Sequence, residues 1–256
     1  MKKLIAFDLD GTLAPSKSHF DPRMVGLFDR LLAKYHVCVI SGGKYELFQR
    51  QFLTQITTEP DSLERLHLMP TSGTRYDRFE KGDWKLRYAE DFTPQEKKKI
   101  ITALDEGLKE SGFEVTKTYG ETIEDRDSQI TLSILGQEIV AELGEEGVRI
   151  NEEWDPDSSK KLIIRDIVAA KIPEFSVRAA GATSIDVTKP GVDKAYGMEK
   201  LMKETGFSKD DILFMGDKIV PGGNDYPVEE MGIDCISVGG WQDTAYAIEG
   251  ILSVTE

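Results

Sequence analysis

A short apolar run near the start of the chain ends at two aspartates that lie one residue apart. The segment reads Lys3-Leu-Ile-Ala-Phe-Asp8-Leu-Asp10-Gly-Thr-Leu13, and its apolar residues predict a buried strand. Ligands of an open parallel sheet bind beyond the carboxyl ends of its strands, so this strand would deliver Asp8 to a site. Residues two apart in an extended chain point to the same side, which places Asp10 beside Asp8. Thr12 adds a hydroxyl next to both carboxylates.

Two carboxylates this close repel each other unless a cation or a proton lies between them, and oxygen ligands of this kind suit Mg2+. Phosphoryl transfer through an aspartyl-phosphate needs one bare carboxylate, one protonatable carboxylate and a hard cation. Taken alone, the pair is equally compatible with an acidic surface turn after a strand. Residues elsewhere in the sequence are needed to distinguish a metal site from a surface turn.

Composition and charge exclude several classes of protein. The chain has 256 residues, of which 39% are hydrophobic, and its formal net charge is -14. This charge argues against binding of nucleic acid or of an anionic membrane surface. No apolar run is long enough for a membrane span, and the first aspartate comes too early for a signal peptide, so we expect a cytoplasmic protein. Cys38 and Cys235 lie in apolar runs and are expected to be buried, reduced thiols.

The hydrophobic pattern changes in the middle of the chain. Both flanks alternate strands with helices, which predicts a parallel α/β sheet, whereas the middle alternates like antiparallel strands with two helices. We therefore predict an α/β fold with a Rossmann-like core at residues 1–83 and 187–256 and an inserted α+β domain at 84–186. Phe113-Glu-Val-Thr116 is read as a strand of the insert, and Thr183–Val187 as the return to the α/β pattern. A single irregular α+β domain is the alternative.

Three further strand ends or helix starts carry polar residues. They are Ser41 with Gly42, Lys194, and Asp217 followed by Asn224 and Asp225. Each has an ordinary structural explanation when taken alone, as a helix cap, a solvated lysine or a turn residue. All of them at sheet ends in one chain predict a single site together with the first two aspartates.

Each of these residues has a role in phosphoryl transfer that follows from its charge. Asp8 would attack phosphorus, and Asp10 would donate a proton to the leaving oxygen and later take one from the acceptor. Lys194 would neutralise the phosphoryl group, and Ser41 with the Gly42 amide, at the start of a helix, would hold its oxygens. The predicted metal ligands are Asp8, Asp10, Asp217 and Asp225, and the predicted phosphate-binding residues are Thr12, Ser41, Gly42 and Asn224.

The order of these motifs along the whole chain resembles the haloacid dehalogenase (HAD) superfamily. The resemblance implies a Rossmann-like catalytic core, a cap domain that selects the substrate, and Mg2+ as cofactor. Gly216-Asp-Lys-Ile-Val-Pro-Gly-Gly-Asn-Asp225 and Thr183-Ser-Ile-Asp-Val-Thr-Lys-Pro-Gly-Val-Asp-Lys194 are similar to segments of the eukaryotic-type phosphomannomutase family. In that family the residues matching Ser184 and Asp186 contact sugar hydroxyls, and the arginine matching Arg126 binds the distal phosphate.

One departure from the phosphomannomutase pattern bears on the reaction. The mutases carry a second arginine where this chain has Gln137, and a neutral amide holds a distal dianion less tightly than a guanidinium does. We therefore expect hydrolysis of a small phosphorylated sugar, with mutase transfer from mannose 6-phosphate to mannose 1-phosphate as the alternative. A non-catalytic sugar-phosphate-binding protein is the alternative from another class. A homodimer is left open as the assembly.

Overall fold

The computed structural model describes residues 2–15 and 18–255. The chain divides into two compact units, which are described separately. The first contains the residues up to Ala89 and those from Val192 onward, and the second contains Glu90–Gly191. The chain thus leaves the first unit once and returns to it once.

The first unit contains a seven-stranded sheet that is mostly parallel. Its strands are β1 (Leu4–Asp8), β2 (His36–Ile40), β3 (Leu66–Met69), β4 (Arg75–Glu80), β5 (Asp83–Ala89), β10 (Ile212–Gly216) and β11 (Asp234–Ser237). They lie in the order β11-β10-β1-β2-β3-β4-β5. The first five in this order are parallel, and β4 and β5 form an antiparallel hairpin at one edge. The carboxyl ends of β1, β2 and β10 therefore meet along one side of the sheet.

Helices and short turns connect the strands of the first unit. The helices are α1 (Pro22–Leu32), α2 (Tyr45–Phe48), α3 (Pro60–Leu63), α8 (Lys194–Thr205), α9 (Tyr226–Glu230) and α10 (Trp241–Ser253), with a π-helical turn at Gln49–Leu53 and 3-10 turns at Thr71–Gly73 and Lys209–Asp211. Helix α1 begins as its sequence predicts, because Asp21 accepts a hydrogen bond from the Arg23 amide and Pro22 occupies the first turn. Alternate residues of β1 pack into separate apolar clusters on the two faces of the sheet.

The second unit contains a four-stranded antiparallel sheet in the order β6-β7-β9-β8. Its elements are α4 (Pro94–Glu110), β6 (Ile123–Asp125), β7 (Gln129–Ser133), α5 (Ile139–Leu143), α6 (Glu145–Trp154), α7 (Ser159–Lys171), β8 (Ser176–Ala180) and β9 (Ser184–Thr188). Apolar residues of α4 and α7 pack on Ile130, Leu132, Ile185 and Val187 of the sheet. Since side chains alternate along a strand, the opposite face of this sheet carries the polar residues.

The fold class predicted from the sequence is confirmed, and several local predictions need correction. Phe113–Thr116 is not a strand, and the sheet contains Ser176–Ala180 instead. The second unit has four helices rather than two. Residues 183–187 do not resume the parallel pattern, because β9 pairs antiparallel with β7 and β8.

The compact units also differ from the predicted domain limits. The predicted limit at 83/84 falls inside β5, which pairs with β4 along its length in the first unit. The limit at 186/187 falls inside β9, a central strand of the second sheet. A cut through a paired strand would leave its hydrogen bonds unmade, so the units divide after Ala89 and before Val192.

Among the described residues, no helix combines the length and the apolar character needed to span a lipid bilayer. Both cysteines are free thiols, as expected from the sequence, but only Cys38 is buried, whereas Cys235 is partly exposed.

Two histidines and a tyrosine form a hydrogen-bonded chain inside the first unit. His67 is fully buried on β3, with its Nδ1 2.7 Å from the Tyr76 hydroxyl and its Nε2 3.0 Å from Nδ1 of His36. Burial, reinforced by Arg78 and His36, holds the pKa of His67 well below its ordinary value of 6.5. The pKa of His36 is lowered as well, first by burial. Folding therefore favours the neutral form of both rings.

The hydrogen-bonded histidines His36 and His67 predict that the folded protein loses stability in mild acid. A histidine with a lowered folded-state pKa contributes its full stability above the unfolded-state pKa and loses it as pH falls. Between about pH 6.5 and 5.5, the free energy of unfolding should fall by up to about 1.4 kcal/mol per pH unit for each ring that stays neutral. Urea titrations at several pH values should show this slope, and His67→Gln should reduce it. His19 is exposed, so His19→Gln is the matched control and should leave the slope unchanged.

Candidate active site

The centre of the candidate site is a buried lysine between two buried aspartates. Asp8 is the last residue of β1, Lys194 is the first residue of α8, and Asp225 immediately precedes α9. Their exposed fractions are 4%, 2% and 0%. The Lys194 ammonium donates to Oδ1 of Asp8 and, at 2.5 Å, to Oδ1 of Asp225. Asp8 and Lys194 are thus in direct contact although they are 186 positions apart in the sequence.

Burial and charge compete at this cluster. Burial raises the pKa of Asp8 to about 7, although the positive charge of Lys194 opposes the rise. Burial alone would lower the pKa of Lys194, but the attraction of the Asp8 and Asp225 carboxylates raises it to about 12. The lysine therefore remains charged, while Asp8 is costly to ionise without further positive charge nearby.

Asp217 brings a third carboxylate to the cluster. Carboxylate oxygens of Asp8, Asp217 and Asp225 all lie within 4.8 Å of one another, an arrangement that fits a divalent cation with oxygen ligands. Gly11 makes room for Asp217, because a Cβ at Gly11 would lie 2.7 Å from its Oδ2, and the φ of Gly11 is +88°. A bound cation would also favour the ionised form of Asp8. The residues present therefore fit such an ion.

Asp10 and Thr12 lie in the turn that follows β1. Oδ1 of Asp10 accepts a hydrogen bond from Nε2 of Gln51 at 3.0 Å, and Asp10 does not belong to the group of three carboxylates. The Thr12 hydroxyl is buried and has no hydrogen-bond partner among the described residues. Its main-chain carbonyl accepts from the Thr244 hydroxyl at 2.7 Å. An unpartnered hydroxyl in such a turn is suited to a ligand oxygen.

Ser41 and Gly42 follow β2, but they do not begin a helix as predicted. Helix α2 begins at Tyr45 and has only four residues, so the oxygen-binding role expected for the Gly42 amide gains nothing from a helix N-terminus. The hydroxyl of Ser41 accepts from the Gly43 amide at 3.1 Å. Ser41 itself is buried, with an exposed fraction of 4%.

The 3-10 turn Thr71–Gly73 joins the loop after β2 to helix α8. The amide of Ser72 donates to the Ser41 carbonyl at 2.9 Å. A Cβ on Gly73 would lie 2.4 Å from the Cα of Gly197, so the turn and α8 touch through their backbones. Thr71 and Ser72 have φ values of 48° and 56°, which are strained for residues with a side chain. This contact helps to place Lys194, three residues before Gly197.

Asn224 was predicted to belong to the site in the first unit, but it is not among the buried side chains of the cluster. It is exposed, whereas the adjacent Asp225 is fully buried. Oδ2 of Asp225 accepts from the Lys218 amide at 3.0 Å, which closes the loop after β10. The predicted contact of Asn224 with phosphate stays a prediction.

The remaining predicted residues lie on the polar face of the sheet in the second unit. Asp186 accepts from the Thr131 hydroxyl at 2.7 Å, and the hydroxyls of Ser133 and Ser184 are 3.1 Å apart. Burial raises the pKa of Asp186, and the charge of Arg126 opposes the rise. The Arg126 guanidinium is ion-paired with Glu124 at 2.8 Å. Arg126, Ser184 and Asp186 therefore share one polar, hydrogen-bonded face.

Sequence reasoning missed the residues that support these side chains. Gln51 contacts Asp10 from 41 positions away, and no motif marks it. Thr131 could have been found, because it alternates in the sequence with the apolar Ile130 and Leu132 and so falls on the polar face of a strand. Gln129, on that face too, donates to the Thr131 hydroxyl at 3.1 Å.

The chain is similar to known proteins over most of its length. Residues 5–228 match a family model described as haloacid dehalogenase-like hydrolase. The phosphomannomutase of Schizosaccharomyces pombe is 26% identical over 89% of this chain and 85% of its own length. Human phosphomannomutase 1 is 26% identical over 88% of this chain and 82% of its own.

Among solved structures, the IMP-nucleotidase of Plasmodium falciparum has the same fold. A truncated form of that protein with IMP bound aligns with a TM-score of 0.68 at 18% identity, covering 98% of this chain and 68% of its own. A haloacid dehalogenase-like hydrolase from Bacteroides thetaiotaomicron aligns with a TM-score of 0.60 at 14% identity, over 98% of this chain and 100% of its own.

Proposed function

Because this chain belongs to the haloacid dehalogenase-like hydrolase family, whose members include phosphoryl-transfer enzymes, we propose that it hydrolyses a small sugar phosphate through an aspartyl-phosphate on Asp8. The observation that carries the proposal is the buried contact of Lys194 with both Asp8 and Asp225 beside Asp217. The three carboxylates outnumber the single ammonium of the cluster, and a cluster with a purely structural role would not need this excess of negative charge.

The side chains of the first unit have distinct roles in this reaction. A carboxylate oxygen of Asp8 attacks phosphorus, and the bond from phosphorus to the sugar oxygen breaks. Asp10 donates a proton to that leaving oxygen, and then takes one from the water that hydrolyses the aspartyl-phosphate. Lys194 offsets negative charge on the phosphoryl group, and the Thr12 hydroxyl and Ser41 are available to its oxygens.

The carboxylates of Asp8, Asp217 and Asp225 are the side chains proposed to hold Mg2+. The ion would supply positive charge for the phosphate oxygens and favour ionised Asp8. Metal binding by Asp10 stays a prediction. One of its carboxylate oxygens accepts a hydrogen bond from Gln51.

The polar face of the second unit supports a sugar phosphate as substrate. Hydroxyl, amide and carboxylate groups there, at Gln129, Thr131, Ser184 and Asp186, suit the donors and acceptors of a polyol. Arg126 supplies a positive charge, although Glu124 already pairs with it. Gln137, in place of a second arginine, favours water as the final acceptor.

Conversion of mannose 6-phosphate to mannose 1-phosphate by a mutase is the second candidate. It is favoured by the phosphomannomutase relatives, which match most of the chain at about a quarter identity. The two candidates share every step up to the aspartyl-phosphate and differ only in whether water or a sugar hydroxyl takes the phosphoryl group.

The test is release of phosphate from a panel of hexose, pentose and triose phosphates by the purified protein with MgCl2. We expect phosphate release that stops when EDTA is added and resumes with excess MgCl2. Mannose 6-phosphate is assayed in parallel for mannose 1-phosphate, with and without a hexose bisphosphate. Isomerisation faster than phosphate release would favour the mutase. Saturable binding of a sugar phosphate without either reaction would indicate a binding protein.

A further inference from the structure

Gln51 is a buried side chain that touches the proposed acid–base residue. It lies in the π-helical turn Gln49–Leu53, with an exposed fraction of 1%. Its Nε2 donates to Oδ1 of Asp10 at 3.0 Å and to the main-chain carbonyl of Ser18 at 3.0 Å. Short π-helical segments occur often at functional sites.

The position of Gln51 is fixed from several sides. Its main-chain carbonyl accepts from the Phe20 amide at 3.1 Å. The neighbouring Phe52 stacks on Phe20, with ring centroids 4.9 Å apart. Both hydrogens of the side-chain amide are used, so turning the amide over would lose two hydrogen bonds at once. The group that faces Asp10 is therefore the N–H and not the carbonyl.

Oε1 of the same amide is buried without a hydrogen-bond partner among the described residues. Leaving a buried carbonyl oxygen unpaired costs stability, whereas an apolar side chain of similar size would avoid that cost. A residue retained for packing alone would not need this amide. The amide is thus better explained by the two hydrogen bonds that it donates, of which the one to the Ser18 carbonyl holds the loop and the one to Asp10 reaches the site.

We infer that Gln51 is a positioning residue for proton transfer by Asp10, an inference that rests on the proposed function. Because Oδ1 of Asp10 accepts from Gln51, the transferable proton is on Oδ2. As the oxygen of Asp8 bonds to phosphorus and the leaving oxygen takes the electron pair of the breaking bond, the Oδ2 proton passes to that oxygen. Asp10 then carries the negative charge, and the Gln51 N–H stabilises it. Oδ2 recovers a proton from the water that hydrolyses the aspartyl-phosphate.

The test compares substrates that need proton donation to different extents. A sugar alkoxide is a poor leaving group and needs the acid, whereas 4-nitrophenolate leaves readily without one. Gln51→Met keeps the size of the side chain and removes the donor. We expect its kcat/KM, which reports the step in which the leaving group departs and not the later hydrolysis that both substrates share, to fall roughly 10- to 100-fold on the best sugar phosphate of the panel. On 4-nitrophenyl phosphate it should fall by no more than about threefold.

Gln55 provides the matched control. It lies one turn further along and is half-buried, and its side chain exchanges hydrogen bonds with the main chain of Phe20 at 3.0 and 3.3 Å. Gln55→Met therefore loosens the same loop but should affect both substrates equally. Should Gln51→Met fail to fold, Gln51→Glu keeps the shape and replaces the donor by an acceptor, with the same selective loss expected.

Two outcomes would contradict different parts of this account. An equal loss on both substrates for the Gln51 variants, matching the Gln55 variant, would reduce Gln51 to a structural residue and overturn the inference while leaving the proposed function intact. Absence of phosphate release by the wild-type protein from either substrate would overturn the proposed function, and the inference with it. A selective loss on the sugar phosphate alone supports both.

Discussion

Replacement of Asp8 by Asn is expected to lower phosphate release by about 10,000-fold or more, because the attacking oxygen of the proposed reaction is removed. The fold should survive. Asn has nearly the shape of Asp, and the Lys194 ammonium keeps its hydrogen bond to Asp225. Steady-state phosphate release measures the loss, and mass spectrometry of acid-quenched protein measures the aspartyl-phosphate, which should form in the wild type and be absent from the variant.

The control for this prediction is an aspartate of the same unit that takes no part in the cluster. Asp210 is exposed in the 3-10 turn Lys209–Asp211, and Asp210→Asn should retain wild-type activity. Phosphate release by the Asp8 variant within tenfold of the wild type would show that another group attacks phosphorus, and the proposed chemistry would then be wrong.

Replacement of Lys194 by Met should be the most destabilising change at the site. The variant would leave the carboxylates of Asp8 and Asp225 buried without their shared counter-charge. Loss of one partner of a buried ionic group typically costs about 3–5 kcal/mol. We expect a decrease of this size in the free energy of unfolding at pH 7 with EDTA present, measured by urea denaturation. Phosphate release should also fall severely, because charge on the phosphoryl group is no longer offset.

A lysine on the same helix serves as the matched control. Lys203 is exposed near the end of α8, and Lys203→Met should change the unfolding free energy by no more than about 0.5 kcal/mol. If Lys194→Met were as stable as the Lys203 variant, the two carboxylates would have to be neutral in the folded protein. The ionic description of the cluster would then fail.

The parts of the fold that depend on local pattern could be predicted from the sequence. Strand β1 is a run of apolar residues that ends at Asp8, and Pro22 and the Thr93 capping box mark the starts of α1 and α4. Strands β8 and β9 show the limit of such prediction. A strand is assigned to a sheet by its partners, and nothing local in Ser184–Thr188 distinguishes antiparallel pairing with β7 from a return to the parallel sheet.

The candidate site divides in the same way. The aspartates that follow β1 and β10 could be brought together because neighbouring parallel strands end side by side. Lys194 instead begins α8, and the strand before it belongs to the other sheet. Gln51 and Thr244 could not be identified, since each contacts the turn after β1 by a hydrogen bond across a long sequence separation that no motif marks. The predicted helix start at Ser41 was wrong because the chain first turns through two glycines, and α2 begins only at Tyr45.

The meeting of Gly73 with Gly197 has a consequence for how accurately the buried ammonium is located. Most catalytic groups inherit their position through layers of side chains, each of which can change rotamer and absorb a small displacement. Here main chain rests on main chain, with a Cβ at Gly197 only 2.8 Å from the Ser72 carbonyl oxygen. A contact between two glycines has no side-chain torsions that could absorb a small displacement. Any shift of the turn after β3 is therefore transmitted to the first turn of α8, and with it to the charge that Asp8 and Asp225 share.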